Sequence, residues 1–92
     1  MKRLRNRRTP MIRKPITFPG GKPLTRSVAA QVVQVTCKYQ SRVMIEYNQR
    51  IVNAKSMLGL LSLGLEDQQG LILIVEGVDE QEAAEAILAM MQ

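Results

Sequence analysis

LILIVEGVDEQEAAEAILAMM, Leu71 to Met91, contains a change of period that divides a strand from a helix. Leu71 to Val75 is an unbroken apolar run, closed by Glu76 and Gly77. A run this short, rich in β-branched residues and bounded by a glycine, reads as a strand buried on both faces, hence central in its sheet. Beyond Gly77 the apolar residues recur at helical spacing: Ala83, Ala84, Ile87, Leu88 and Met91. Asp79 stands at the start of that stretch with Glu82 three residues on, a capping-box pattern.

Upstream, NAKSMLGLLSLGL (Asn53 to Leu65) reads as a short helix that Ser56 caps and Gly64 closes. RVMIEYNQRIV (Arg42 to Val52) reads as two strands about an Asn48-Gln49 turn, with Val43, Ile45 and Tyr47 on one face. From Ser27 the period is again helical: Val28, Val32, Val35 and Tyr39, with Val33 and Cys37 beside them. IRKPITF (Ile12 to Phe18) reads as a strand, and Pro15 within it predicts a sheet edge. PGGKP (Pro19 to Pro23) and EDQQ (Glu66 to Gln69) read as loops. The order β-α-β-β-α-β-α predicts an α+β fold: helices on one face of a mostly antiparallel sheet.

The chain of 92 residues is one domain's worth. Its net charge of +5 is unevenly placed: residues 1–14 hold seven of the 13 cations and no acid, so the remainder has six cations against eight acids, a net of −2. The expected organisation is a basic, disordered arm over 1–10 and one folded domain over 11–92, with Met11 as an alternative start. A basic arm can make weak contact with nucleic acid or an anionic surface. Only three aromatics are present, none interleaved with the basic run, so base-stacking platforms are not expected.

The start MKRLRNRRTP lacks the apolar run of a secretory signal, and no segment reaches the ~18 apolar residues of a membrane span. The lone Cys37 forms no internal disulfide; it is read as a small buried hydrophobe, and a cytoplasmic location is expected. The chain has no histidine, so the commonest general base near neutral pH is absent. No Cys/His metal cluster, paired carboxylates or nucleophile–base motif is visible, and neither an enzyme nor a cofactor is expected.

Two segments carry a resemblance. VNAKSMLG (Val52 to Gly59), followed by LLSLG, and VEGVDEQEA (Val75 to Ala83) closely resemble the histidine-containing phosphocarrier protein of the sugar phosphotransferase system, HPr. The similarity runs without gaps from about Met11 to Gln92. It implies an open-faced sandwich, a four-stranded antiparallel sheet under three helices. The family's active site is a GLHxRP motif at the mouth of its first helix. On this chain that motif becomes Pro23-Leu24-Thr25-Arg26-Ser27-Val28. Thr25 stands for the phosphorylated His, Ser27 for the phosphate-clamping Arg and Val28 for the Pro; only Leu24 matches. Arg26 comes one residue early, which on a helix start turns the side chain by ~100°. Phosphohistidine is a labile phosphoramidate able to relay phosphate, whereas phosphothreonine is a stable ester. The carrier function is therefore rejected, and Thr25 and Ser27 are read as helix caps, with a residual anion site at Arg26 as the alternative.

The resemblance also implies a second, regulatory site. Ser56 corresponds to the serine that a dedicated HPr kinase/phosphorylase modifies in some relatives. Lys55, Met57, Leu58 and Leu61 correspond to the surface that partners recognise there: a catabolite-control transcription regulator or a metabolic enzyme. Loss of the histidine with retention of this serine resembles the catabolite-repression HPr homologue (Crh) subclass. Two alternatives stay open: a nucleic-acid or anionic-surface binder using 2–14, and a decoy that docks Enzyme I without accepting phosphate.

Overall fold

A computed structural model describes residues 11–18, 24–64 and 70–91. The expected arm and the PGGKP and EDQQ loops lie outside the described residues. The elements are β1 (Ile12–Ile16), α1 (Arg26–Thr36), β2 (Arg42–Tyr47), β3 (Arg50–Asn53), α2 (Met57–Leu61), β4 (Leu71–Glu76) and α3 (Glu80–Met91). The strands form one antiparallel sheet in the order β1-β4-β2-β3. The apolar run is thus central, and Pro15 lies on an edge strand. The β2–β3 turn is held by Asn48 (φ 56°) and Gln49 (φ 70°), the two successive positive φ values of a type I′ hairpin.

One face of the sheet carries the core. Val43, Ile45, Leu71, Leu73 and Val75 meet Val28, Ala29 and Val32 of α1, Leu60 of α2, and Ala83, Ala84, Ile87 and Met91 of α3. Each large aliphatic buried here contributes about 1.5–3 kcal/mol. On the other face, Ile74 is only 3% exposed. The Arg13 guanidinium donates to Glu46 Oε1 at 2.9 Å, reaching from β1 across β4 to β2. Arg13 is opposite Ile74 and Glu46 opposite Ile72, so the pair spans the two isoleucines. Arg13 is therefore a sheet residue with a partner rather than a free charge of the basic run.

Three local expectations are corrected. The inward stripe of α1 is Val28, Ala29, Val32 and Thr36, and the helix ends at Thr36, before Tyr39. Thr36 is fully buried because its hydroxyl has acceptors: Ala54 O at 3.0 Å and Val33 O at 3.2 Å. Cys37 is exposed rather than buried, since Thr36 takes the inward position and Cys37 follows it as the C-cap. The carboxylate of Asp79 does not form a capping box with Glu82. It accepts from Gln40 N and Ser41 N, each at 2.9 Å, and from Ser41 Oγ. The reach-back onto the turn comes from Glu80, whose Oε1 accepts from Gly77 N at 3.0 Å. Asp79 thereby ties the α1–β2 turn to the β4–α3 turn.

The same junction fixes Gly77. Its φ of 153° is unfavourable for L side chains, and a Cβ there would stand 2.6 Å from Ser41 Cα. Gly77→Ala is expected to cost more than about 2 kcal/mol, read as a lowered urea midpoint at unchanged m-value. Hydrogen bonds from the Ser41 hydroxyl first, then from Gln40 N, hold the Asp79 carboxyl below its ordinary value of 3.8, against a smaller desolvation effect. The stabilisation this provides is complete above about pH 4 and is lost as pH falls through the lowered folded value. Urea midpoints taken as pH falls from about 5 to 2 should drop for the parent chain. Asp79→Asn should lower the midpoint near neutral pH and flatten part of that acid-side fall; an unchanged slope contradicts the junction's role.

Candidate functional site

Two helix mouths carry the residues singled out in the sequence. At the mouth of α1, Thr25 has extended backbone (φ −107°, ψ 169°) and its hydroxyl accepts from Val28 N at 3.2 Å. Its carbonyl accepts from Ala29 N at 2.9 Å. This is ordinary N-cap chemistry, satisfying one of the first helical N–H groups. Ser27 is not a second cap: it lies inside the first turn, exposed like Arg26 and Thr25. Leu24 packs against the core and anchors the mouth. The arrangement can accept and donate hydrogen bonds, but it holds no imidazole and no base.

At the mouth of α2, Ser56 is also an N-cap in extended conformation (φ −116°, ψ 125°), and its hydroxyl accepts from Gly59 N at 3.1 Å. Here the surroundings are built in more detail. Ser56 N donates to Asn53 O at 3.2 Å, and Lys55 N donates to Asn53 Oδ1 at 2.9 Å, so Asn53 shapes the turn into the helix. Gly59 completes it by close approach, because a Cβ there would stand 2.9 Å from Asn53 O. The turn is fastened to the end of α1 by Thr36 Oγ1 on Ala54 O and by Lys55 Nζ on Tyr39 O at 2.7 Å. Cys37 Sγ adds a weak bond to Lys55 O at 3.8 Å.

The side chains after Ser56 divide. Leu58 is 82% exposed. Met57 and Leu61 are half-buried and pack partly against the core, while Leu60 is fully buried. The patch therefore presents Leu58 outright and only the edges of Met57 and Leu61. Lys55 is a neighbour of the mouth, with its ammonium already engaged by a backbone carbonyl. Sequence reasoning named Ser56 and this patch, but missed Asn53 and Thr36, which position the serine. A threonine on the inward face of α1, four residues after Val32, was the available signal.

Ser56 is half-buried, leaving its hydroxyl proton and one lone pair unused by the cap. Among the described residues no group of three His, Cys, Asp or Glu side chains is placed to hold a metal ion. No described helix is long and apolar enough to cross a membrane.

Comparison with known proteins agrees with this geometry. Residues 19–92 match the family described as "PTS HPr component phosphorylation site". The HPr-like protein Crh of Halalkalibacterium halodurans is 44% identical over 64 residues, 70% of this chain and 76% of that protein. The crystal structure of the phosphocarrier protein HPr from Bacillus anthracis superposes with a TM-score of 0.79 at 32% identity, covering 89% of this chain and 98% of the other. That of Bacillus subtilis Crh gives a TM-score of 0.70, also at 32% identity, covering all of this chain and 92% of the other. With its helix-over-sheet topology, its two capped helix mouths and these likenesses, the chain belongs to the HPr family.

Proposed function

We propose that this chain is a regulatory member of the HPr family that carries no phosphoryl group along the sugar relay and is switched by phosphorylation of Ser56. The observation that carries the reading is the contrast between the two helix mouths. Thr25 stands where the family's phosphoryl-accepting His is expected, and its hydroxyl serves as a cap. Ser56 stands where the family's regulatory serine is expected, capped, half-exposed and set beside an exposed Leu58. The likeness to the Crh proteins supports the same assignment.

The chemistry proposed is transfer of the γ-phosphoryl group of ATP by an HPr kinase/phosphorylase. The Ser56 Oγ–P bond forms, the bond to ADP breaks, and the serine proton leaves to the kinase. The product adds about −1.5 to −2 charge at the start of α2, where Gly59 N already points at the cap oxygen. A phosphate oxygen can take over that acceptor role, so the fold is kept and the surface changes. Lys55, Met57, Leu58 and Leu61 then form the patch that a catabolite-control transcription regulator or a metabolic enzyme reads.

The test is intact mass after incubation with ATP and a Gram-positive HPr kinase/phosphorylase, beside Ser56→Ala. Loss of the cap is expected to cost the control about 1 kcal/mol, leaving it folded. One added phosphate on the parent and none on the control is the expected result. An unmodified parent sinks the reading.

A further inference from the structure

A hollow of about 220 Å³ lies at the base of the β2–β3 hairpin, lined by Arg42, Met44, Ile51, Asn53 and Lys55 together with Val43 and Val52. Met44 pairs with Asn53 and Glu46 with Ile51, so Arg42, Met44, Ile51 and Asn53 share the face turned away from the buried Val43 and Ile45. Ile51 is 58% exposed, and β3 is an edge strand. Three donor groups meet at this hollow. The exposed Arg42 side chain is in no ion pair, the only one among the described residues being Arg13–Glu46. The Asn53 amide nitrogen keeps its donors, because only its oxygen is used by Lys55 N. The Lys55 ammonium spends one donor on Tyr39 O and has two left. No carboxylate lines the hollow; Glu76 faces Arg42 across the β2–β4 ladder but lies outside the lining.

We infer that this hollow is a docking site for a protein partner's extended segment that presents, on one face, an acidic side chain with an apolar one two residues to either side. The spacing follows from the surface: only every second side chain of an extended segment meets it, where the donors of Arg42, Asn53 and Lys55 suit a carboxylate and Met44 and Ile51 suit its apolar flanks. A protein is favoured over a small anion by shape. The hollow is open, and its apolar residues Met44 and Ile51, the latter 58% exposed, are covered by a peptide but would stay in water against a small anion. The site shares only Lys55 with the surface proposed to read Ser56, and it does not require Ser56 to be modified.

The experiment is a titration of the full, 15N-labelled, unphosphorylated chain with acetyl-Val-Ser-Glu-Ser-Val-amide. Saturable amide shifts centred on Arg42, Met44, Ile51 and Asn53 are expected in the millimolar range. Arg42 is exposed at a strand start, so Arg42→Gln, which sets no second carboxylate opposite Glu76, should fold normally and bind about tenfold more weakly or worse, one interfacial charge contact being worth about that factor. The Gln-for-Glu peptide should be weaker to a similar extent. The inference is overturned by shifts centred elsewhere, by none in that range, or by equal binding of the Gln peptide or of Arg42→Gln. It is also overturned if inorganic phosphate alone reproduces the same shifts as strongly, which would make the hollow a small-anion site.

Discussion

The hydrogen bond from the buried Thr36 hydroxyl to Ala54 O sets the relation between the two halves of the molecule. It lies where α1 ends and the turn into α2 begins. Without it the Ala54 carbonyl loses a buried partner, a loss of about 1–3 kcal/mol. With it, Lys55 is near enough to bond Tyr39 O, and Asn53 can set the conformation of Ser56. A five-residue helix has little stability of its own. Its position is owed to this fastening, to Leu60 in the core and to the close approach of Gly59 to Asn53. The second fastening, Asp79 on Gln40 and Ser41, closes the same end of α1 against the α3 side.

Within that frame the two mouths have the same local design and different chemical capacity. Each has an extended hydroxyl residue accepting from the N–H three residues on. In this family the first mouth is expected to hold an imidazole, whose phosphoramidate releases phosphate readily. Thr25 supplies a cap and nothing labile. On the proposed reading the second mouth needs no labile bond, because a regulatory phosphate acts by remaining in place until an enzyme removes it. The proposed loss of relay chemistry and retention of a switch are thus compatible with one architecture, which is shared with a phosphocarrier and with a Crh protein.

Most of the fold was legible in the chain. The apolar run 71–75 announced a central strand, Pro15 an edge, Asn48-Gln49 a hairpin, and Ser56 a cap, because each is a local signal with one dominant cause. What was not legible depended on partners distant in sequence. Asp79 looks like a helix cap until Gln40 and Ser41 are brought to it across 38 residues and more. Thr36 looks like a helix-end polar residue until Ala54 offers an acceptor, and its burial displaces Cys37 to the surface. Arg13 reads as part of a charge run until the sheet places Glu46 two strands away. For the candidate site, the chain names the serine and its apolar neighbours, but how little of Met57 and Leu61 is presented depends on packing.

On the proposed reading, modification of Ser56 changes the cap at α2 and leaves the cap at α1 and the fold as they are. The direct measurement is the amide 1H–15N spectrum of the chain before and after treatment with ATP and the HPr kinase. The Gly59 resonance is expected to move strongly, with its neighbours Met57 and Leu58, while Val28 keeps its position and the dispersion of the spectrum is unchanged. Movement of Val28 with Gly59 fixed would place the phosphate at the wrong mouth, and a general collapse of dispersion would show that the Ser56 cap is structural and cannot carry a switch.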